Sequence, residues 1–110
     1  MVFIKFPAFT KAIIKLPDED YASFQRELHA DPELGDTIRG TGGFRKARMA
    51  FPSAGIGKSG GARVIYLYLR EQQITVLVTL YAKAKKSDLS RSEENELRIL
   101  AAEIRSALGT

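Results

Sequence analysis

Hydrophobic positions along this chain change their spacing twice, from helical to alternating near residue 44 and back to helical near residue 90. Residues 2–6 are a short apolar run stopped by Pro7, which predicts a first strand. Thr10 is placed to cap a short helix carrying Ala12, Ile13, Ile14 and Leu16, and Pro17 ends it because the residue before a proline avoids helical geometry. Asp18 then reads as the cap of a second helix, with acids in its first turn and Tyr21, Phe24 and Leu28 at helical spacing, a stripe expected in the core. Asp31-Pro32 closes that helix, and residues 35–43 form a connection whose glycines supply turn geometry.

The alternating stretch holds three strands. Residues 44–51 put Ala47, Met49 and Phe51 on one face and Lys46 and Arg48 on the other. Residues 62–71 and 74–83 are β-branched and aromatic, and the Gln72-Gln73 link makes them a hairpin. Their apolar runs are dense enough to be central strands covered on both faces. Ser90 with Glu93 forms a capping box, and Leu97, Leu100, Ala101, Ile104 and Leu108 stripe a last helix that stops at Gly109. The expected fold is a single α+β domain over residues 1–110: a mostly antiparallel four-stranded sheet packed with two N-terminal helices and a C-terminal helix.

Composition narrows the possibilities. A chain of 110 residues can bury a core without staples, and it contains no cysteine, so disulfides and Cys-based metal sites are excluded and a cytoplasmic setting is expected. A single histidine, His29, argues further against a structural zinc. The first residues are too short an apolar run for a signal peptide, and no stretch approaches the roughly 20 apolar residues of a membrane span. The net charge of +4 hides a strong asymmetry: between Asp36 and Asp88 stand ten cations (Arg39, Arg45, Lys46, Arg48, Lys58, Arg63, Arg70, Lys83, Lys85, Lys86) and one acid, Glu71. Such a field attracts a polyanion, and phosphate backbones are the commonest one a small protein meets. The competing reading is a solvated basic face with no ligand.

Within that segment the chemistry concentrates on three residues. Lys46 and Arg48 stand two apart on a strand and leave the same face, and Arg63 opens the next strand, close enough to join them across the ladder. Facing cations repel unless something negative lies between them, and a phosphate would relieve that cost; pairing of Arg63 with an acid such as Glu71 would make the cluster a solubility device instead. The loop at residues 52–61 ends in Gly57-Lys58-Ser59, like a phosphate-binding P-loop. That comparison fails, because the first required glycine falls on Pro52 and the loop leads into a strand rather than a helix. It is expected to be a flexible connection carrying Lys58 over the basic face. Tyr66, Tyr68 and Tyr81 are candidates to stack bases, with a core role as the alternative. His29, beside Asp31 and Glu33, reads as a surface residue.

Three segments, GTGGFRKAR (40–48), GKSGGARVIYLYL (57–69) and TLYAKAKKSDLS (79–90), together with the early FPAFTKAI (6–13), resemble the RelE/HigB branch of the RelE/ParE toxin superfamily. The resemblance implies a helix-covered antiparallel sheet and a cytoplasmic toxin of a type II toxin-antitoxin system. It implies a ribosome-dependent mRNA endonuclease that cuts in the A site by attack of a ribose 2′-hydroxyl, with no metal and no cofactor. The family's basic catalytic positions fall on Lys46, Arg48 and Arg63; Arg45, Lys58, Tyr81, Lys83, Lys85 and Lys86 are the further candidates for binding RNA phosphate. Two positions depart from the pattern: Ala84 stands where the family has an arginine after the last strand, and Ser90 where it has a late tyrosine. The implied partners are the ribosome, its mRNA and a cognate antitoxin, a HigA-like helix-turn-helix DNA-binding protein. The alternative within the superfamily is a ParE-like poison of DNA gyrase, which needs no phosphate-reaction centre. A plain nucleic-acid-binding domain is a third reading.

Overall fold

The structure, a computed structural model, describes residues 1–86 and 88–109. Its elements run β1 (Val2–Lys5), α1 (Pro7–Ile13), α2 (Asp18–Ala30), β2 (Asp36–Thr37), β3 (Arg45–Met49), β4 (Ala62–Leu69), β5 (Ile74–Ala82) and α3 (Arg91–Ala107). The strands form one sheet in the order β1-β5-β4-β3-β2. All neighbours are antiparallel except β1, which runs parallel to β5. The α+β class and the central place of β4 and β5 are as the pattern predicts, but the sheet has five strands rather than four. The extra one, β2, is only two residues long and lies inside the glycine-containing connection, too short to leave a period in the sequence.

Two apolar layers cover the sheet. On one face Phe9, Ile13, Phe24 and Leu28 of α1 and α2 pack with Ala47, Met49, Val64 and Tyr66. On the other, Leu97, Ala101 and Ile104 of α3 pack with Phe44, Ile65, Leu67, Val76 and Val78. Both helical stripes therefore bury as their spacing predicts. Tyr66 carries a polar group into the first layer: its hydroxyl accepts from the Gly35 N–H at 2.9 Å and donates to the Pro32 carbonyl at 2.8 Å. This pins the chain between α2 and β2.

Several boundaries differ from expectation for local reasons. α1 begins at Pro7, with Phe6 at the N-cap, so Thr10 lies inside the helix; a proline at the first helical position loses no hydrogen bond and has a suitable φ. Pro17 likewise occupies the N-cap of α2, and Asp18 is its first helical residue. Residues 70–73 all belong to the β4–β5 turn, where Gln73 adopts φ 56° and its N–H returns to the Arg70 carbonyl. The capping box at Ser90 and Glu93 is formed in both directions.

Glu93 makes the acid behaviour of α3 testable. The Lys86 ammonium and then the Ser90 N–H hold its carboxyl down to about 2, partly opposed by burial. A folded-state value below the unfolded one gives stability that is present above the ordinary carboxylate range and lost as pH falls toward about 2. Because its side chain is 38% exposed, solvent screening keeps the effect small. Acid titration followed by far-UV circular dichroism should show wild-type α3 losing stability between about pH 4.5 and about pH 2 more steeply than Glu93→Gln; identical curves would contradict this.

Candidate functional site

Where β3 and β5 finish and β4 begins, the strands align polar residues on one face. Pairing places Arg48 of β3 directly opposite Arg63 of β4, and Arg63 directly opposite Tyr81 of β5. The three side chains form one cross-strand row, since residues in register share a face. Lys46, two residues from Arg48, extends the same face. Lys46, Arg48, Lys58 and Arg63 together with Leu34 and Asp36 line a groove of about 390 Å³.

Each cation has a distinct environment. Arg63 is buried, 7% exposed. Its guanidinium donates to the carbonyls of Lys58 (3.3 Å), Ala62 (3.2 Å) and Ser59 (3.2 Å). No carboxylate pairs with it among the described residues; Glu71 lies in the turn at the far end of β4. Three of the five N–H groups of a guanidinium are thus used, and two remain for a ligand in the groove. Arg48 is exposed and has no hydrogen-bond or ion-pair partner among the described residues. Two arginines facing each other with no carboxylate bridging them among the described residues is an unfavourable arrangement that an anion would relieve.

The lysines are held by acids from neighbouring elements. Lys46 Nζ lies 3.3 Å from Asp88 Oδ1, and Lys58 Nζ lies 2.7 Å from Glu27 Oε2. The Leu89 N–H and then the Lys46 ammonium hold the Asp88 carboxyl below the usual carboxylate range. Lys86 bonds Glu93 and sits 5.5 Å from the centre of the Tyr81 ring. Burial, and secondarily Asp88, push the Tyr81 hydroxyl up, partly opposed by Arg63, so Tyr81 is a neutral O–H donor at physiological pH. That hydroxyl is buried without a hydrogen-bond partner among the described residues.

The other basic candidates lie apart. Arg45 points to the opposite face of β3, where it bonds the Gly35 carbonyl at 2.8 Å and the Glu33 carboxylate at 3.0 Å. Lys83 and Lys85 are exposed in the turn after β5, although the Lys83 N–H ties that turn to the Gly61 carbonyl at 3.0 Å. Tyr66 is fully buried and Tyr68 half-buried in the α1–α2 layer, and His29 is exposed on α2. Ser90 caps α3, and Ala84 is exposed near the start of the same turn.

Residues 52–61 are not the flexible connection expected. A Phe51–Ile56 bridge closes the first half, two short 3-10 turns (Pro52–Ala54 and Lys58–Gly60) fill the rest, and Arg63 grips the second turn. Missing from the sequence reading were Leu34, Asp36 and Asp88 at the groove. The acids bracketing the basic segment were the available signal: Asp36 stands opposite Lys46 in register, and Asp88 closes on Lys46 from the chain leading into α3. Among the described residues no cluster of three or more His, Asp and Glu side chains could hold a metal ion, and no helix is long and apolar enough to cross a membrane.

Comparison with known proteins agrees with this architecture. The structure of a double-arginine mutant of E. coli toxin RelE in the free state superposes with a TM-score of 0.58 at 14% identity, over 90% of this chain and 94% of that one. The isolated E. coli RelE toxin gives 0.56 at 14% identity, over 90% and 97% of the two chains. The archaeal RelE-RelB complex from Pyrococcus horikoshii OT3 gives 0.53 at 20% identity, over 76% and 96%. These likenesses show a shared fold. Residues 21–109 match the family described as the RelE toxin of the RelE/RelB toxin-antitoxin system. With most of its length inside that match, the chain belongs to the RelE toxin family.

Proposed function

We propose that this toxin is a ribosome-dependent mRNA endonuclease that cuts the message in the A site and so stops translation. The observation that carries the reading is the unbridged Arg48–Arg63 pair at the floor of a cationic groove. In the reaction, a ribose 2′-hydroxyl loses its proton and attacks the adjacent phosphorus, the bond to the 5′-oxygen breaks, and that oxygen takes a proton. The products are a 2′,3′-cyclic phosphate and a free 5′-hydroxyl. Charge builds on the phosphate oxygens on the way, and fixed cations aimed there lower the barrier without reorganising. Arg63, held by three carbonyls, serves as that fixed cation, while Lys46 and Arg48 position the backbone and one of these two assists proton transfer. Tyr81, a neutral hydroxyl at the end of the row, is a candidate donor to the leaving oxygen. The cations take the developing charge, so this scheme needs no metal.

Lys58 and Lys86 widen the phosphate-binding surface around the row, and Lys83 and Lys85 extend it along the exposed turn after β5. Arg45, committed to Glu33, contributes through the stability of β3 or through RNA outside the groove. A cationic site of this kind requires neutralisation in the cell that makes it, which an acidic or amphipathic antitoxin segment would supply. The archaeal RelE-RelB complex supports a cognate antitoxin here; we propose a HigA-like helix-turn-helix protein, acting with its toxin in the cytoplasm where ribosomes and messages are.

Cell-free translation of a defined message with purified toxin, followed by primer extension, tests the proposal. New 5′ ends appearing only with ribosomes are expected. An intact message combined with a DNA-damage response in cells would instead favour a gyrase poison of the ParE kind.

A further inference from the structure

Asp20 is among the few buried polar residues, 1% exposed, in the first turn of α2. Both of its carboxylate oxygens are committed to one residue: Oδ1 accepts the Ser53 N–H at 3.0 Å and Oδ2 accepts the Ser53 hydroxyl at 2.7 Å. Burying a carboxylate against neutral donors is costly, so a position that does so must be held strongly. Two turns further along α2, on the same face, Glu27 binds Lys58 at 2.7 Å. α2 therefore grips the β3–β4 connection at two points. The second of these points, Lys58, opens the 3-10 turn whose Lys58 and Ser59 carbonyls accept from Arg63. The contacts run without a gap from Asp20 to Ser53, through the connection to Lys58 and Ser59, and on to Arg63 in the cross-strand row.

From this chain of contacts we infer that Asp20 is a positioning residue of the groove, acting through Ser53 to set where Lys58 and the Arg63 guanidinium stand. The inference deepens the endonuclease reading and rests on it. Asp20 and Ser53 do not line the groove, so neither would meet a phosphate held in it. A rigid connection matters because a guanidinium that must be re-aimed during the reaction loses the advantage of a preorganised cation. Glu27–Lys58 alone cannot supply that rigidity, since its lysine is half exposed and such pairs are weak.

Two measurements on the intact toxin test this. In the ribosome assay under single-turnover conditions, Asp20→Ala is expected to cut about tenfold or more slowly with unchanged ribosome concentration dependence. Asp20→Asn should recover most of the rate, because an amide of the same shape can accept from the Ser53 N–H and donate to its hydroxyl. Ser53→Ala should fall between, and adding it to Asp20→Ala should cost nothing further. Independently of catalysis, trypsin should cleave after Lys58 several-fold faster in Asp20→Ala than in wild type. Wild-type cutting by Asp20→Ala, an Asn variant as slow as Ala, or unchanged tryptic cleavage would each overturn the inference. If Asp20→Ala does not fold, Ser53→Ala decides, and wild-type rates in it overturn the inference. A wild-type toxin that cuts no message overturns the endonuclease reading and takes this inference with it, whereas a cutting wild type matched by Asp20→Ala overturns this inference alone.

Discussion

Replacing Arg63 with alanine is expected to slow ribosome-dependent cleavage on the order of 10²- to 10³-fold, the usual cost of removing one fixed donor from a developing anion. Two physical effects combine in that number. One is loss of the cation that the register places opposite Arg48. The other is loss of three donors to the Lys58, Ala62 and Ser59 carbonyls, which leaves part of the connection without its partner. Arg63→Lys separates them. A lysine keeps the charge but is a single point on a flexible stem, so it cannot span two turn carbonyls and a phosphate together as the planar fork does. It should therefore recover only part of the rate. The measurement is single-turnover appearance of the primer-extension product, with circular dichroism to establish that each variant is folded. Undiminished cutting by Arg63→Ala would remove Arg63 from the reaction and with it the main support for the proposed mechanism.

The largest effect on stability is expected at a glycine with no charge at all. A Cβ added to Gly61 would lie 1.9 Å from the Met49 carbonyl oxygen and 3.0 Å from its carbon, and 3.2 Å from the Ala50 Cα. All three atoms are backbone, so no side chain can turn aside, and β3 would have to move away from β4. Gly61→Ala is expected to cost about 3 kcal/mol or more. In a domain of this size that lowers the melting temperature by roughly 10 °C or more. Gly60→Ala is the matched control: its nearest contact is the end of the Ile56 side chain at 3.3 Å, which can give way, so a change below about 1 kcal/mol is expected. Thermal melts of the two variants decide, and equal melting temperatures would contradict the close approach. Gly61 also bears on function, because it sets the spacing at the start of the ladder in which Arg48 meets Arg63.

How much was legible beforehand varies by residue. The alternation of residues 44–51 put Lys46 and Arg48 on one face, and the strand does so, with Ala47 and Met49 buried beneath it. Arg63 was placed near them by its position at the start of a strand, and the register makes it the direct partner of Arg48. The basic residues that look alike in sequence separate in space. Arg45 is one residue from Lys46, yet the two-residue period of a strand sends it to the opposite face and to Glu33. Tyr81 was one of three candidate tyrosines, and only the ladder decided that it, rather than Tyr66 or Tyr68, ends the row.

Sequence alone determined the features whose causes are local: the period of each strand and helix, the capping box at Ser90 and Glu93, the basic middle segment, and the face shared by Lys46 and Arg48. Those follow from backbone geometry within a few residues. Tertiary structure alone decided the fifth strand, the Arg48–Arg63–Tyr81 row, the pairing of Lys46 with Asp88 and of Lys58 with Glu27, and the grip of Asp20 on Ser53. Each of these joins residues distant in the chain, and a register or an ion pair between distant segments is selected by the packing of the whole sheet against its helices, which no local period records.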